Sequence, residues 1–318
     1  MAWRGLPATE PERKPINGPR LEMPQDAIAG LCVLASGSSG NCSVLVIRGE
    51  TTTRPERVVL IDAGVTPSRT RALLASRGVP LWWIDDIVLT HLDLDHFHNG
   101  WKRARDCRAT LRLHRRHVGR AERQDKLLHR NEPFDDADGF ALGGSTRVTS
   151  ELLAHDEHGV AALRFNISSP GTESVASLGF ATDLGRVTQG LVRHLGGVDV
   201  LAIESNYCPE MQRASDRPAF LKKRIMGGAG HLSNAEAADA VGRIGPRDHA
   251  VFLHMSRECN QPAKIAELHA ASDYAWTIAT QHEPTRWVWL KPSPSAASAR
   301  PSGVVEAQPG LFEGAQAP

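Results

Sequence analysis

The stretch THLDLDHFHNG, residues 90–100, sets His91, Asp93, Asp95 and His96 within six positions. In an extended run alternate residues share a face, so His91 and Asp93 point the same way, and a turn past the strand end lets Asp95 and His96 aim at a neighbouring point. Two imidazole–carboxylate pairs this close suit two divalent ions better than one. Ions about 3.5–4 Å apart clamp both the attacking and the leaving oxygen of a hydrolysis. Imidazole and carboxylate do not select strongly among zinc, manganese and iron. A loop that only caps a helix beginning near Phe97 would need fewer such side chains. Further candidate ligands lie downstream: His155 after RVTSELLA, Asp183 closing LGFATD, and His254 closing AVFLH. Seven groups suffice for two ions if one carboxylate bridges them.

Elements able to position these residues are readable around them. LCVLAS, CSVLVIR, RVVLIDAG and IDDIVLT are apolar, β-branched runs punctuated by Gly, Ser and Asn, and they predict strands in the first half. VASLGFATD, VDVLAIESN and HAVFLHMS are apolar almost throughout, as buried strands are. SRTRALLASRG, SNAEAADAVGRIG and QPAKIAELHAAS read as helices between them, so the fold class is α/β, with sheets covered by helices. Asp62, the 91–96 cluster, Asp183, Glu204 and His254 each follow such a run directly, which places them on one rim. The core domain spans 29–291. Residues 1–28, rich in Pro, Arg and Glu, and 292–318, rich in Pro, Ala, Ser and Gly, read as flexible extensions.

The 318 residues carry 37 basic and 36 acidic side chains, a balance that argues against a general nucleic-acid coat but not against a local basic patch. Neither an apolar run long enough for a membrane span nor a signal-peptide core is present. Cys32, Cys42, Cys107, Cys208 and Cys259 fit neither a disulfide framework nor a CxxC zinc pattern, and read as reduced thiols of a cytoplasmic protein.

The ordered set SGSSGN (36–41), DAG (62–64), THLDLDH (90–96), HD (155–156), TDLG (182–185), ESN (204–206), GHLSN (230–234) and LHMS (253–256) resembles the metallo-β-lactamase-fold hydrolases. Within them it resembles the YycJ-like branch, related to ribonuclease Z and other metal-dependent nucleases. The resemblance implies an αββα sandwich with metals at one edge. It implies one ion on His91, Asp93 and His155, another on Asp95, His96 and His254, and Asp183 between them. The family usually has His where this chain has Asp93, and an anionic oxygen ligand there should shift preference toward manganese or iron. The same HxDxDH variant resembles the hydrolase domain of ComEC-type DNA-uptake proteins.

The expected cofactors are therefore two divalent ions, Zn²⁺ or Mn²⁺ with iron also possible, supplying a bridging hydroxide. Asp95 would bind its ion and orient the nucleophile, and His231 would protonate the leaving oxygen or else serve as a capping residue. Ser38, Ser39 and Asn41 in SGSSGN could meet substrate, although a tight turn also explains the motif. Lys222, Lys223 and Arg224 suit a phosphodiester backbone or a solvated helix face equally. Asn206 and Glu204 could orient neighbouring groups. His98 and His158 lie near ligands in sequence, whereas His114, His117, His129, His194, His249, His269 and His282 show no recognisable spacing. The expected substrate is nucleic acid or a small phosphodiester, with no membrane partner. The rival reading is a lactone, thioester or other carbon-ester or amide hydrolase on the same fold, and a non-catalytic protein would require missing ligands.

Overall fold

The computed structural model of the chain describes residues 19–49, 54–168 and 175–292. Most of the first extension (1–18) and the tail from 293 lie outside the described residues. The rest of the first extension lies on the domain: Leu21 and Met23 pack on the outer core of the first sheet, and Arg48 Nε donates to the Ala27 carbonyl at 2.6 Å.

In chain order the strands are β1 (Ala29–Ala35), β2 (Cys42–Ile47), β3 (Arg57–Ile61), β4 (Asp86–Val88), β5 (Thr110–His114), β6 (Asn131–Phe134), β7 (Phe140–Leu142), β8 (Thr146–Leu153), β9 (Val160–Ser168), β10 (Val175–Ala181), β11 (Val200–Glu204), β12 (His249–Leu253), β13 (Ala275–Ile278) and β14 (Val288–Leu290). The helices are α1 (Pro67–Ala75), α2 (Val118–Arg123), α3 (Gln189–Leu195), α4 (Pro209–Ala214), α5 (Ala219–Arg224), α6 (Asn234–Ile244) and α7 (Pro262–His269). One sheet runs β14-β1-β2-β3-β4-β5-β6 and the other β13-β12-β11-β10-β9-β8-β7. Each sheet is antiparallel in one part and parallel in the other: β3 to β6 are parallel in the first, β10 to β13 in the second.

Period-two alternation builds the layers. Leu31, Val33, Val59 and Ile61 face the second sheet's Val200, Ala202, Val251 and Leu253 in a central core. Their neighbours Cys32, Leu34, Val58 and Leu60 form the outer core of the first sheet, with Leu74 of α1. Leu201, Ile203, Ala250 and Phe252 pack under Leu191, Val241 and Ile265 of α3, α6 and α7. Strands buried on both faces must be apolar at every position, which is why they read as continuous runs, and each large side chain so buried contributes about 1.5–3 kcal/mol. The result is the expected αββα sandwich. Among the described residues, no helix is long and apolar enough to cross a membrane.

No helix begins at Phe97. Ala63 and Phe97 form a single bridge, and a short 3₁₀ turn, Asn99–Arg103, follows, with His98 Nδ1 accepting from the Gly100 N–H. Phe97 and Trp101 are both buried, and the Trp101 indole N–H donates to the Ala63 and Val65 carbonyls, so tertiary contacts decide this segment.

Candidate metal centre

Because the parallel strands of each sheet end on the same side, their C-terminal ends meet at one edge of the sandwich. Asp62 follows β3, residues 90–96 follow β4, Asp183 follows β10, Glu204 closes β11 and His254 follows β12. Asp62, Asp183 and His254 have φ of 57°, 54° and 53°, in the left-handed region. That conformation costs a non-glycine residue roughly 1–2 kcal/mol, and such strain gathers where geometry serves a site.

SGSSGN and DAG grip the 91–96 loop by its backbone. The Asp95 carbonyl accepts from the Asn41 N–H at 2.7 Å, and the Gly64 N–H donates to the Asn41 carbonyl at 2.8 Å. A Cβ on Gly64 would stand 1.7 Å from the Asp95 carbonyl oxygen, so only glycine admits this approach. Lys126 Nζ donates to the Leu92 carbonyl at 3.0 Å from the other side.

The imidazoles are oriented from behind. Asp62 Oδ2 lies 2.7 Å from His96 Nδ1 and also accepts from the Thr90 hydroxyl, while Thr90 Oγ1 lies 3.1 Å from His91 Nδ1. His91 Nε2 is thereby left for the cavity and His96 Nε2 for Asp183 Oδ2, 2.9 Å away, much as a carboxylate behind an imidazole orients it at metal sites. Glu204, fully buried, accepts from the backbone N–H groups of Asp183, Leu184 and Leu232, and its Oε2 lies 3.2 Å from Nδ1 of both His231 and His254. Asn206 donates to the His254 carbonyl at 2.6 Å.

Two candidate ligand triads result. His91, Asp93 and His155 bring donor atoms within 4.8 Å of one another, as do Asp95, His96 and His254. Asp183 joins His91 and His96 in a third such group, its Oδ2 2.9 Å from His96 Nε2. His155 Nδ1 and His254 Nε2 are buried without a hydrogen-bond partner among the described residues. An orphaned imidazole nitrogen facing a carboxylate, as His254 Nε2 faces Asp95 Oδ2 at 3.7 Å, is what a divalent cation needs, so the residues fit the group.

The charges agree. Burial alone would depress His96 and His254, but Asp62 and Asp183 hold His96 well above its usual range, and Asp183, Asp95 and Glu204 push His254 up to about 10. Burial would raise Asp183, yet His254 and His96 hold it well below the usual carboxylate range. His91 is pushed well down by burial and by the neighbouring His96. Protons on His96 and His254 thus balance the carboxylates where cations would otherwise do so.

A cavity of about 450 Å³ opens over these groups, lined also by Ser38, Asn206, Arg217, Arg224 and His231. His231 is partly exposed and is not a cap: Ser233 caps α6 in a capping box with Glu236. Several predicted contacts fall elsewhere. Ser39 is exposed and its N–H donates to Gln281 Oε1, while Asn41 is buried against the 91–96 loop, its amide 3.0 Å from His96 Nε2. On α5 the helical turn sends Lys222 back to the Arg213 carbonyl and leaves Lys223 exposed, so of the three cations only Arg224 lines the cavity. His98 and His158 are not among the lining residues.

Two arginines were not found by sequence reasoning. Arg217 bonds to Glu258 at 2.9 Å and lines the cavity, but nothing in ASDRPAF marks it. Arg120 on α2 bridges Asp93 Oδ1 at 2.8 Å and Asp156 Oδ2 at 3.1 Å. Asp156 in turn accepts from the N–H groups of His158 and Gly159, so Arg120 ties Asp93 to the turn carrying His155. The one available signal was the density of arginine between 102 and 130.

Comparison with known proteins agrees with this geometry. The chain is 28% identical over 242 residues to the exodeoxyribonuclease WalJ of Streptococcus pneumoniae serotype 2 strain D39, covering 72% of this chain and 82% of that protein. It is 27% identical over 235 residues to the exodeoxyribonuclease YycJ of Bacillus anthracis, covering 72% and 83%. Among solved structures, Zn²⁺-bound PqqB from Methylobacterium extorquens superposes with a TM-score of 0.60 at 16% identity, over 80% of this chain and 99% of that one. A sandwich whose sheet ends carry this histidine–aspartate cluster, together with a match to the Beta-lactamase superfamily domain over residues 57–255, places the chain in the metallo-β-lactamase-fold branch of that superfamily.

Proposed function

We propose that the chain is a metal-dependent phosphodiesterase whose substrate is nucleic acid. One observation carries this reading: two imidazole–carboxylate triads flank Asp183 beneath a cavity whose far wall presents Arg217, Arg224 and His231. The exodeoxyribonuclease names of the two relatives support it, and five free cysteines suit a reducing cytoplasm.

His91, Asp93 and His155 would hold one divalent ion, Asp95, His96 and His254 a second, and Asp183 would lie between them. Zinc and manganese are the leading candidates, and the oxygen-rich set with Asp93 leaves room for iron. When bound, such ions supply Lewis acidity and bring the pKa of a water toward neutrality. The protein's own groups do the rest. Asp95 stays anionic because His254 and His96 outweigh the effect of burial, and it accepts a hydrogen bond from the attacking water. Arg217 and Arg224 bind the non-bridging phosphate oxygens. His231, its Nδ1 held by Glu204 and Asp183 at 3.2 and 3.4 Å, delivers a proton to the leaving oxygen.

The test is one panel with purified protein loaded with Mn²⁺ or Zn²⁺: single- and double-stranded DNA, RNA, bis-p-nitrophenyl phosphate, a lactone and a thioester. Cleavage of phosphodiesters that disappears on chelation is expected. A response confined to the lactone or thioester overturns the assignment.

A further inference from the structure

Residues 102–130 hold eleven Lys and Arg against three Asp and Glu, in a chain whose totals are 37 and 36. Part of this charge is consumed locally: Arg112 pairs with Asp86, Arg115 with Asp135, Arg120 with Asp93, and Lys102 with Asp125. Arg105, Arg108 and Arg130 have no carboxylate partner among the described residues. These three converge, with Lys102 and His129, on the rim of a second cavity of about 630 Å³. Its lining contains no carboxylate, and its inner wall is apolar, built by Trp101, Leu127 and Leu128.

That combination selects its ligand. An unpaired cationic rim attracts a dianion or a chain of monoanions, and an apolar wall of this size accommodates a flat ring system of nucleoside dimensions. The cavity shares no lining residue with the metal centre, yet the two are joined by one short segment. His96 reaches into the metal cluster and Trp101 forms part of the second wall. They stand five positions apart, so their Cα atoms lie at most about 18 Å apart, a span of at most about five nucleotide steps. We propose that this cavity is a second, non-catalytic subsite that holds a nucleoside phosphate unit of the same strand whose scissile bond lies at the metal centre. The inference rests on the nucleic-acid reading above and adds to it where the uncleaved part of the strand is gripped. Single exposed arginines contribute little alone, but several against a polyanion give affinity that rises with strand length and falls with salt.

The experiment compares the full-length protein with the double variant Arg105→Glu/Arg108→Glu, both side chains being exposed and outside the metal centre. Binding of three-residue and fifteen-residue oligothymidylates is read by fluorescence anisotropy in chelator, where no cleavage occurs. Hydrolysis of bis-p-nitrophenyl phosphate is read separately with Mn²⁺. The wild-type protein should bind the longer strand at least tenfold more tightly than the shorter. The variant should lose that preference, with a salt slope shallower by about 1.4 for two lost phosphate contacts, and should hydrolyse the small diester within twofold of wild type. Equal affinity of variant and wild type for the longer strand overturns the subsite, as does wild-type binding independent of length. Full displacement of the longer strand by equimolar thymidine monophosphate also overturns it, because the site would then serve free nucleotides. If the wild-type protein cleaves no phosphodiester, the functional proposal fails, while the subsite still stands or falls on the anisotropy alone.

Discussion

Asp93 and Arg120 form the most informative pair of side chains in the site. A carboxylate in place of the imidazole the family usually carries adds a negative charge, and the guanidinium 2.8 Å away returns a positive one. Because Arg120 engages Oδ1, Oδ2 remains on the side of His91 Nε2, 3.7 Å away. Removing either partner should therefore act on cation loading before it acts on the fold. Asp93→Ala is expected to empty or weaken one triad, and unchanged metal content by elemental analysis would refute its place among the ligands. Arg120→Met, which keeps an apolar stem, should loosen cation binding about 10–100-fold, as lost support behind a ligand does. Chelator competition reads that change directly. His231→Gln should behave differently, lowering the turnover of nucleic acid about 10²–10⁴-fold while metal content stays constant.

At the level of elements, the rim depends on turns that bring distant backbone together. Gly64→Ala would force the Asp95 carbonyl away from a contact a methyl group cannot enter, and should cost on the order of 2–4 kcal/mol. Urea denaturation of the metal-free protein measures that loss. Ser233→Ala should cost about 1 kcal/mol through the lost cap of α6, with no effect on cation loading. These contrasts also explain what could be read in advance. Strands buried on both faces, such as β2, β3, β11 and β12, declare themselves because both registers must be apolar, and the residues after them could be assigned to one edge. β5, with Arg112 and His114, and β6, with Pro133, carry polar or strand-breaking residues in pairings that only neighbouring strands settle. In the site, local spacing marked the 91–96 loop. Asn41 stands out within SGSSGN as a substrate contact, but its role is set at a distance: it holds the loop through a contact 54 positions away in sequence. The same holds for Arg120, whose partner lies 27 positions off.

Across the whole molecule, the proposed ligands come from both sheets, so a bound cation would fasten one half of the sandwich to the other. Saturating Mn²⁺ or Zn²⁺ at 100 times its Kd should raise stability by about 2.7 kcal/mol, and chelation should lower Tm correspondingly. In the metal-free protein the protonated His254 partly fills that role. Its folded pKa, near 10, lies above the unfolded value of about 6.5. The stability it contributes is complete below about pH 6.5 and is lost as pH rises through about 10. Denaturation in chelator should thus show falling stability from neutral to alkaline pH, and the metal-loaded protein should lack that decline. A separate consequence follows from the edge of the first sheet, where β14 pairs with β1, Ala29 opposite Leu290. During biosynthesis the first of the described strands must wait for the last of them, an interval of about 13–50 s at 5–20 residues per second. Until then the nascent chain displays an open, apolar β edge, the kind of surface to which other strands add. A ribosome stalled before Val288 should consequently yield aggregation-prone product even though every cation ligand has already been made.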